Sequence, residues 1–146
     1  WLHADSEQAL NPKAFRAEHV LILAEGSGAH LGKKLHKFLK ENQLLSKVTI
    51  LSSSDGMIKD LRHNEPEMAL SYGQSFLIRA QALNPLGLKE LLVFDKDVAW
   101  IHPEKFRHSI KDLGRIFRDK KIPVIIGPIS AAESSNYQQS AILLIR

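Results

Sequence analysis

Cysteine is absent from the 146 residues, which excludes a disulfide framework, a thiolate-ligated zinc site and a thiol nucleophile, and fits a reducing compartment. Long apolar runs are missing too. Nothing approaches the roughly 20 residues a helix needs to cross a bilayer, and the opening Trp1-Leu2-His3-Ala4-Asp5 has neither the basic nor the apolar stretch of a secretory leader. A soluble, cytoplasmic chain with no membrane partner is the expectation. No internal repeat or low-complexity tract stands out, which sets aside solenoid and linker architectures.

What is present has the composition of one ordinary globular domain, 44% hydrophobic and 25% charged, long enough to bury a single core. The net charge of +4 permits contact with nucleic acid through a basic surface; a lysine-rich solvated surface is the simpler account of it.

His19-Val20-Leu21-Ile22-Leu23-Ala24 is a continuous apolar run closed by Glu25-Gly26-Ser27-Gly28, the pattern of a strand buried on both faces that ends in a loop. Leu31, Leu35, Phe38 and Leu39 then recur at helical spacing, with Lys33, Lys34, Lys37 and Lys40 on the other side. Lys47-Val48-Thr49-Ile50-Leu51 reads as a second strand, stopped by Ser52-Ser53-Ser54-Asp55-Gly56. Strand, helix and strand make one crossover unit.

Met68, Ala69, Tyr72, Phe76, Leu77 and Ala80 suggest a helix closed by Asn84-Pro85-Leu86-Gly87. Glu90-Leu91-Leu92-Val93-Phe94 reads as a third strand running into Asp95-Lys96-Asp97. Pro103 stands where a helix can begin, and Phe106, Ile110, Leu113 and Phe117 mark one face of it. Residues 122–128 and 141–145 read as fourth and fifth strands, 129–140 as a mobile loop, and 1–18 as an N-terminal extension. The fold class expected is α/β: a single domain over 1–146, three-layer αβα, with a mostly parallel, Rossmann-like or RecA-like sheet of about five strands. Ligands are then expected at the carboxyl ends of the strands.

Two loops lie at such ends. Ser27-Gly28-Ala29-His30-Leu31-Gly32-Lys33-Lys34 sits between strand and helix, where backbone N–H groups and a helix N-terminus can surround phosphate. It resembles the Walker A motif of P-loop NTPases, with Ser27 in place of the first glycine and Lys34 in place of the hydroxyl residue that ligates magnesium. Leu91-Leu92-Val93-Phe94-Asp95 looks like a Walker B strand. The layout from residue 19 onward is similar to the core of RecA-like ATPases.

That resemblance implies ATP and magnesium as cofactors, with Ser27, Gly28, Gly32, Lys33 and Lys34 on the nucleotide, Asp95 on the metal, and Asp97 or Glu25 orienting water. It implies work in DNA replication, recombination or repair. The altered loop implies, as an alternative, a degenerate scaffold that binds a partner protein. Leu21 to Gly26, Asp55-Gly56 and Asp95-Lys96-Asp97 also resemble the Toprim domain of primases and topoisomerases, in which a glutamate and a DxD pair gather magnesium for phosphoryl transfer. A third likeness, of Glu25-Gly26-Ser27 to the serine loop of SGNH hydrolases, puts its Asp60-x-x-His63 pair at the wrong place in the chain. The seven histidines form no metal-ligand spacing.

Overall fold

The computed structural model describes residues 2–3, 19–25, 29–130 and 142–145. They fall into two compact units, Trp1–Gln74 and Ser75–Arg146. Each unit has its own sheet, and in each the described strands run parallel.

In the first unit the strands are β1 (Leu2–His3), β2 (Val20–Leu23), β3 (Val48–Leu51) and β4 (Ala69–Leu70), hydrogen-bonded in that order and all parallel. Helix α1 (Ala29–Glu41) joins β2 to β3, and α2 (Asp55–Asn64) joins β3 to β4. All four residues of β3 are buried, as a parallel strand covered on both faces requires. Leu35 and Leu39 of α1 are buried against Ile22, Ile50, Met57 and Leu61, while Lys33, Lys34 and Lys37 face solvent. The stripe read from the sequence is the packed face.

Both helix ends are fixed locally. After α1, Gln43 takes a left-handed φ of 55°, and the Leu44 amide donates to the Leu39 carbonyl at 2.8 Å, the wrap that satisfies terminal carbonyls. Ser54 caps α2, its hydroxyl accepting from the Met57 amide at 3.3 Å. The His36 imidazole and the Glu65 carboxylate, 2.8 Å apart, then tie α1 to the residue that ends α2.

The helix suggested by Met68, Ala69 and Tyr72 is not what forms. Ala69–Leu70 is β4, and helix α3 starts only at Gln74 and ends at Leu83. Met68, Leu70 and Tyr72 are apolar at every second position, as along a strand, and Gly73 stands between them and α3. A β-carbon at Gly73 would fall on the Asp55 carboxylate and lie 3.2 Å from the Asp55 Cα, so the close approach of these two segments requires glycine.

In the second unit the order is β5 (Ala99–Ile101), β6 (Val124–Ile129), β7 (Ile142–Ile145), again all parallel. Between β5 and β6 lie α4 (Pro103–Phe106) and α5 (Ile110–Asp119). Phe106, Ile110, Leu113 and Phe117 are all buried, so the predicted face is right, although two helices carry it rather than one. Phe76, Phe94 and Phe117 form a ring cluster with centroids 5.5, 5.8 and 6.1 Å apart.

The strand expected at Glu90 to Phe94 is absent. Lys89–Leu91 is a single 3-10 turn, and the segment after it joins no ladder before β5. Only one side of the segment packs: Leu92 is buried, whereas Leu91 and Val93 are 68% and 75% exposed. The strand of this region is Ala99-Trp100-Ile101, buried throughout.

The α/β class with parallel sheets stands. The described strands form sheets of four and three, and in each the spatial order follows the chain. Doubly wound sheets reverse order at a switch point, and neither described sheet contains such a reversal. Residues 131–141, which hold most of the expected mobile loop, lie outside the described residues, as do 4–18 of the expected N-terminal extension. No helix among the described residues is long and apolar enough to cross a membrane.

Candidate functional site at the strand ends

In a parallel β/α arrangement every helix begins where a strand ends, so orphan amides and polar turn residues collect at the carboxyl edge. In the first unit that edge is built by Ala24-Glu25 after β2, Ser52 to Asp55 after β3, and Ser71 to Gln74 after β4. The ladders run slightly past the strands. The Ala24 amide donates to the Leu51 carbonyl and the Ser71 amide to the Ile50 carbonyl, both at 2.9 Å.

Two buried serines then stitch β3 to β4. The Ser52 amide donates to Ser71 Oγ at 2.9 Å, and the Ser71 hydroxyl donates back to the Ser52 carbonyl at 3.2 Å. Ser52 Oγ accepts from the Ser54 amide at 3.1 Å, and the Gln74 amide donates to the Ser53 carbonyl at 3.1 Å. Both serines are fully buried, so each polar atom needs such a partner. The result is a rigid polar ledge under the more open Glu25, Ser53, Asp55 and Gln74.

This ledge offers hydroxyls, an amide and two carboxylates beside the N-terminal ends of α1 and α2. Such a set can take phosphate oxygens on the helix-end amides and sugar or glycerol hydroxyls on the carboxylates. Among the described residues no three His, Asp or Glu side chains converge to hold a metal ion.

Of the residues singled out from the sequence, Glu25 lies at the end of β2, part of the ledge and partly buried. Ser27 and Gly28 lie outside the described residues. Gly32 is well inside α1, where its missing side chain admits Met57 of α2: a β-carbon would meet Met57 Cγ at 3.3 Å. Lys33 and Lys34 are exposed on the same helix, past its first turn.

Asp95 and Asp97 belong to the second unit, on the irregular segment before β5, and both are exposed. Asp95 is paired with its neighbour Lys96. Asp55, read from the sequence mainly as a turn former, proves to be a ledge residue. Ser52, Ser71 and Gln74 carried no signal of their own.

The second unit has its own strand ends. His102 follows β5, with its ring 5.9 Å from that of Trp100 in an edge-on contact, and its Nδ1 is buried with no hydrogen-bond partner among the described residues. The Trp100 indole N–H donates to the Gly127 carbonyl of β6 at 2.7 Å.

No protein-family model and no curated protein matches the chain. Among solved structures it is similar to a glycerophosphodiester phosphodiesterase from Parabacteroides distasonis, with a TM-score of 0.58 and 10% sequence identity, over 86% of this chain and 51% of that one. The likeness is one of fold. The chain spans about half the length of that structure.

Proposed function

We propose that this chain binds a small phosphodiester, of the glycerophosphodiester class, at the carboxyl ends of β2, β3 and β4. The observation that carries the reading is the polar ledge at the strand ends, of a kind that suits a phosphate flanked by hydroxyls. The fold likeness supplies the ligand class by analogy, since fold alone does not fix function. In this reading the amides at the start of α2 and the Ser53 hydroxyl take the phosphate oxygens, while Glu25 and Asp55 accept from the glycerol hydroxyls. Binding is the proposal, and turnover is a separate measurement.

Isothermal titration with glycerophosphocholine is the direct test. Saturable binding with a dissociation constant of about 1 mM or tighter is expected, weakened about tenfold or more in Asp55→Ala through loss of a charged hydrogen-bond acceptor. No heat of binding, or an unchanged constant in Asp55→Ala, would sink the reading. Release of glycerol 3-phosphate in the same solution reports any hydrolysis.

A second reading keeps the RecA-like nucleotide-binding domain, with its single three-layer sheet of about five strands and its role in DNA replication, recombination or repair. What favours it is the placement of Lys33 one turn into a helix that follows a buried strand. Titration with labelled ATP and magnesium separates the two, because that reading requires binding lost in Lys33→Ala. Magnesium-dependent nicking of DNA, lost in Asp95→Ala, would instead favour the Toprim-type reading. Copurification with one protein, with neither ligand bound, would favour the scaffold.

A further inference from the structure

A pocket of about 230 Å³ opens on the surface of the second unit, between the end of α3 and the start of α5. Its polar lining is Gln81, Asn84, His108, Ser109 and Asp112, and its apolar lining is Pro85, Leu113 and Ile116. Ser109 is only 7% exposed. It stands at the N-cap position of α5, yet its hydroxyl makes no cap bond to that helix. A serine at this position normally caps. Here the residue lines a pocket instead.

The chemistry of the lining selects among ligands. It contains one carboxylate and no lysine or arginine, so an anion would meet repulsion. The Asp112 carboxylate is already 3.1 Å from the Arg115 guanidinium, which removes the uncompensated charge a cation would seek. Amides, imidazole, hydroxyl and a paired carboxylate all accept hydrogen bonds, and most also donate. Pro85, Leu113 and Ile116 supply an apolar wall for C–H groups.

The volume lies below the roughly 300–1,000 Å³ of drug-sized sites. We propose that this pocket is a binding site for a small neutral polyol, a linear sugar alcohol or a monosaccharide, held by the amides of Gln81 and Asn84, the Ser109 hydroxyl and the Asp112 carboxylate. It is independent of the strand-end ledge, because every lining residue belongs to the second unit.

Saturation-transfer NMR on the whole chain, with glycerol, xylitol, glucose and inorganic phosphate as separate probes, tests the proposal. At least one polyol should bind saturably with a constant of about 10 mM or tighter. Asn84→Ala and Ser109→Val should each weaken it about fivefold or more, by removing a hydrogen bond and by filling the pocket. Should Ser109→Val fail to fold, Gln81→Ala, at an exposed rim position, replaces it with the same expectation. The proposal is overturned if no polyol saturates below about 50 mM, if the folded variants bind as the parent does, or if phosphate binds more tightly than every polyol.

Discussion

Phe117→Ala is expected to lower the unfolding free energy of the second unit by about 3–5 kcal/mol. The side chain is wholly buried on α5, and it is the ring on which Phe76 of α3 and Phe94 of the preceding segment both rest. Removing it costs the transfer energy of the ring, opens a cavity, and forfeits two ring contacts of about 0.5–1.5 kcal/mol each. The surrounding groups cannot easily close the gap. Phe94 is held from its other side by the Lys120 ammonium, 5.5 Å from the ring centre, and Phe76 by the Arg79 guanidinium at 5.9 Å.

Urea unfolding followed by the emission of buried Trp100 reads the effect as a lower midpoint at unchanged slope. Phe117→Leu keeps much of the volume and should lose clearly less. A loss below about 1 kcal/mol in Phe117→Ala, within the range of ordinary surface substitutions, would mean that the ring cluster does not hold this unit together.

Leu39→Ala is expected to remove about 2–5 kcal/mol from the first unit. Leu39 is wholly buried and belongs to the cluster that seats α1 on β2 and β3. The contrast that gives the experiment its meaning is Lys33→Ala on the same helix. Lys33 is exposed, so its loss should change stability by no more than about 0.5 kcal/mol. Thermal unfolding by circular dichroism, with hydrogen exchange at the β2 and β3 amides, separates the two. Equal effects would mean that α1 is not oriented as described.

How much of this could be read from the sequence depended on the length of each signal. Strands β2, β3 and β6 announce themselves as apolar runs, several bounded by glycine, serine or proline, because a strand buried on both faces has nothing to alternate with; β7 is legible as an apolar run as well. The faces of α1 and α5 are legible for the complementary reason that a half-buried helix must repeat. Strand β4, Ala69–Leu70, is too short to carry any period, and its neighbours Met68 and Tyr72 fall by chance at a spacing that also suits a helix. The run Glu90 to Phe94 fails differently. Its composition is that of a strand, but an apolar run becomes a strand only where a ladder partner is within reach, and here the partner β6 pairs with Ala99-Trp100-Ile101 instead.

The candidate site was the least legible part. Ser52 and Ser71 matter because the β3–β4 register brings them together, and register is a tertiary fact. Read alone, a run of serines after a strand says only that a turn follows. Gly32 has a packing role that the sequence did not show, since a β-carbon there would meet Met57.

The one-sided packing of the segment before β5 also bears on how the protein must be handled. Leu86, Leu91 and Val93 stand more than half in solvent, close together along the chain, and such side chains adsorb environment-sensitive dyes such as ANS even when every helix and strand is intact. Some ANS fluorescence is therefore expected of the folded molecule, and a partial-melting assay is better read from far-UV circular dichroism than from dye brightness.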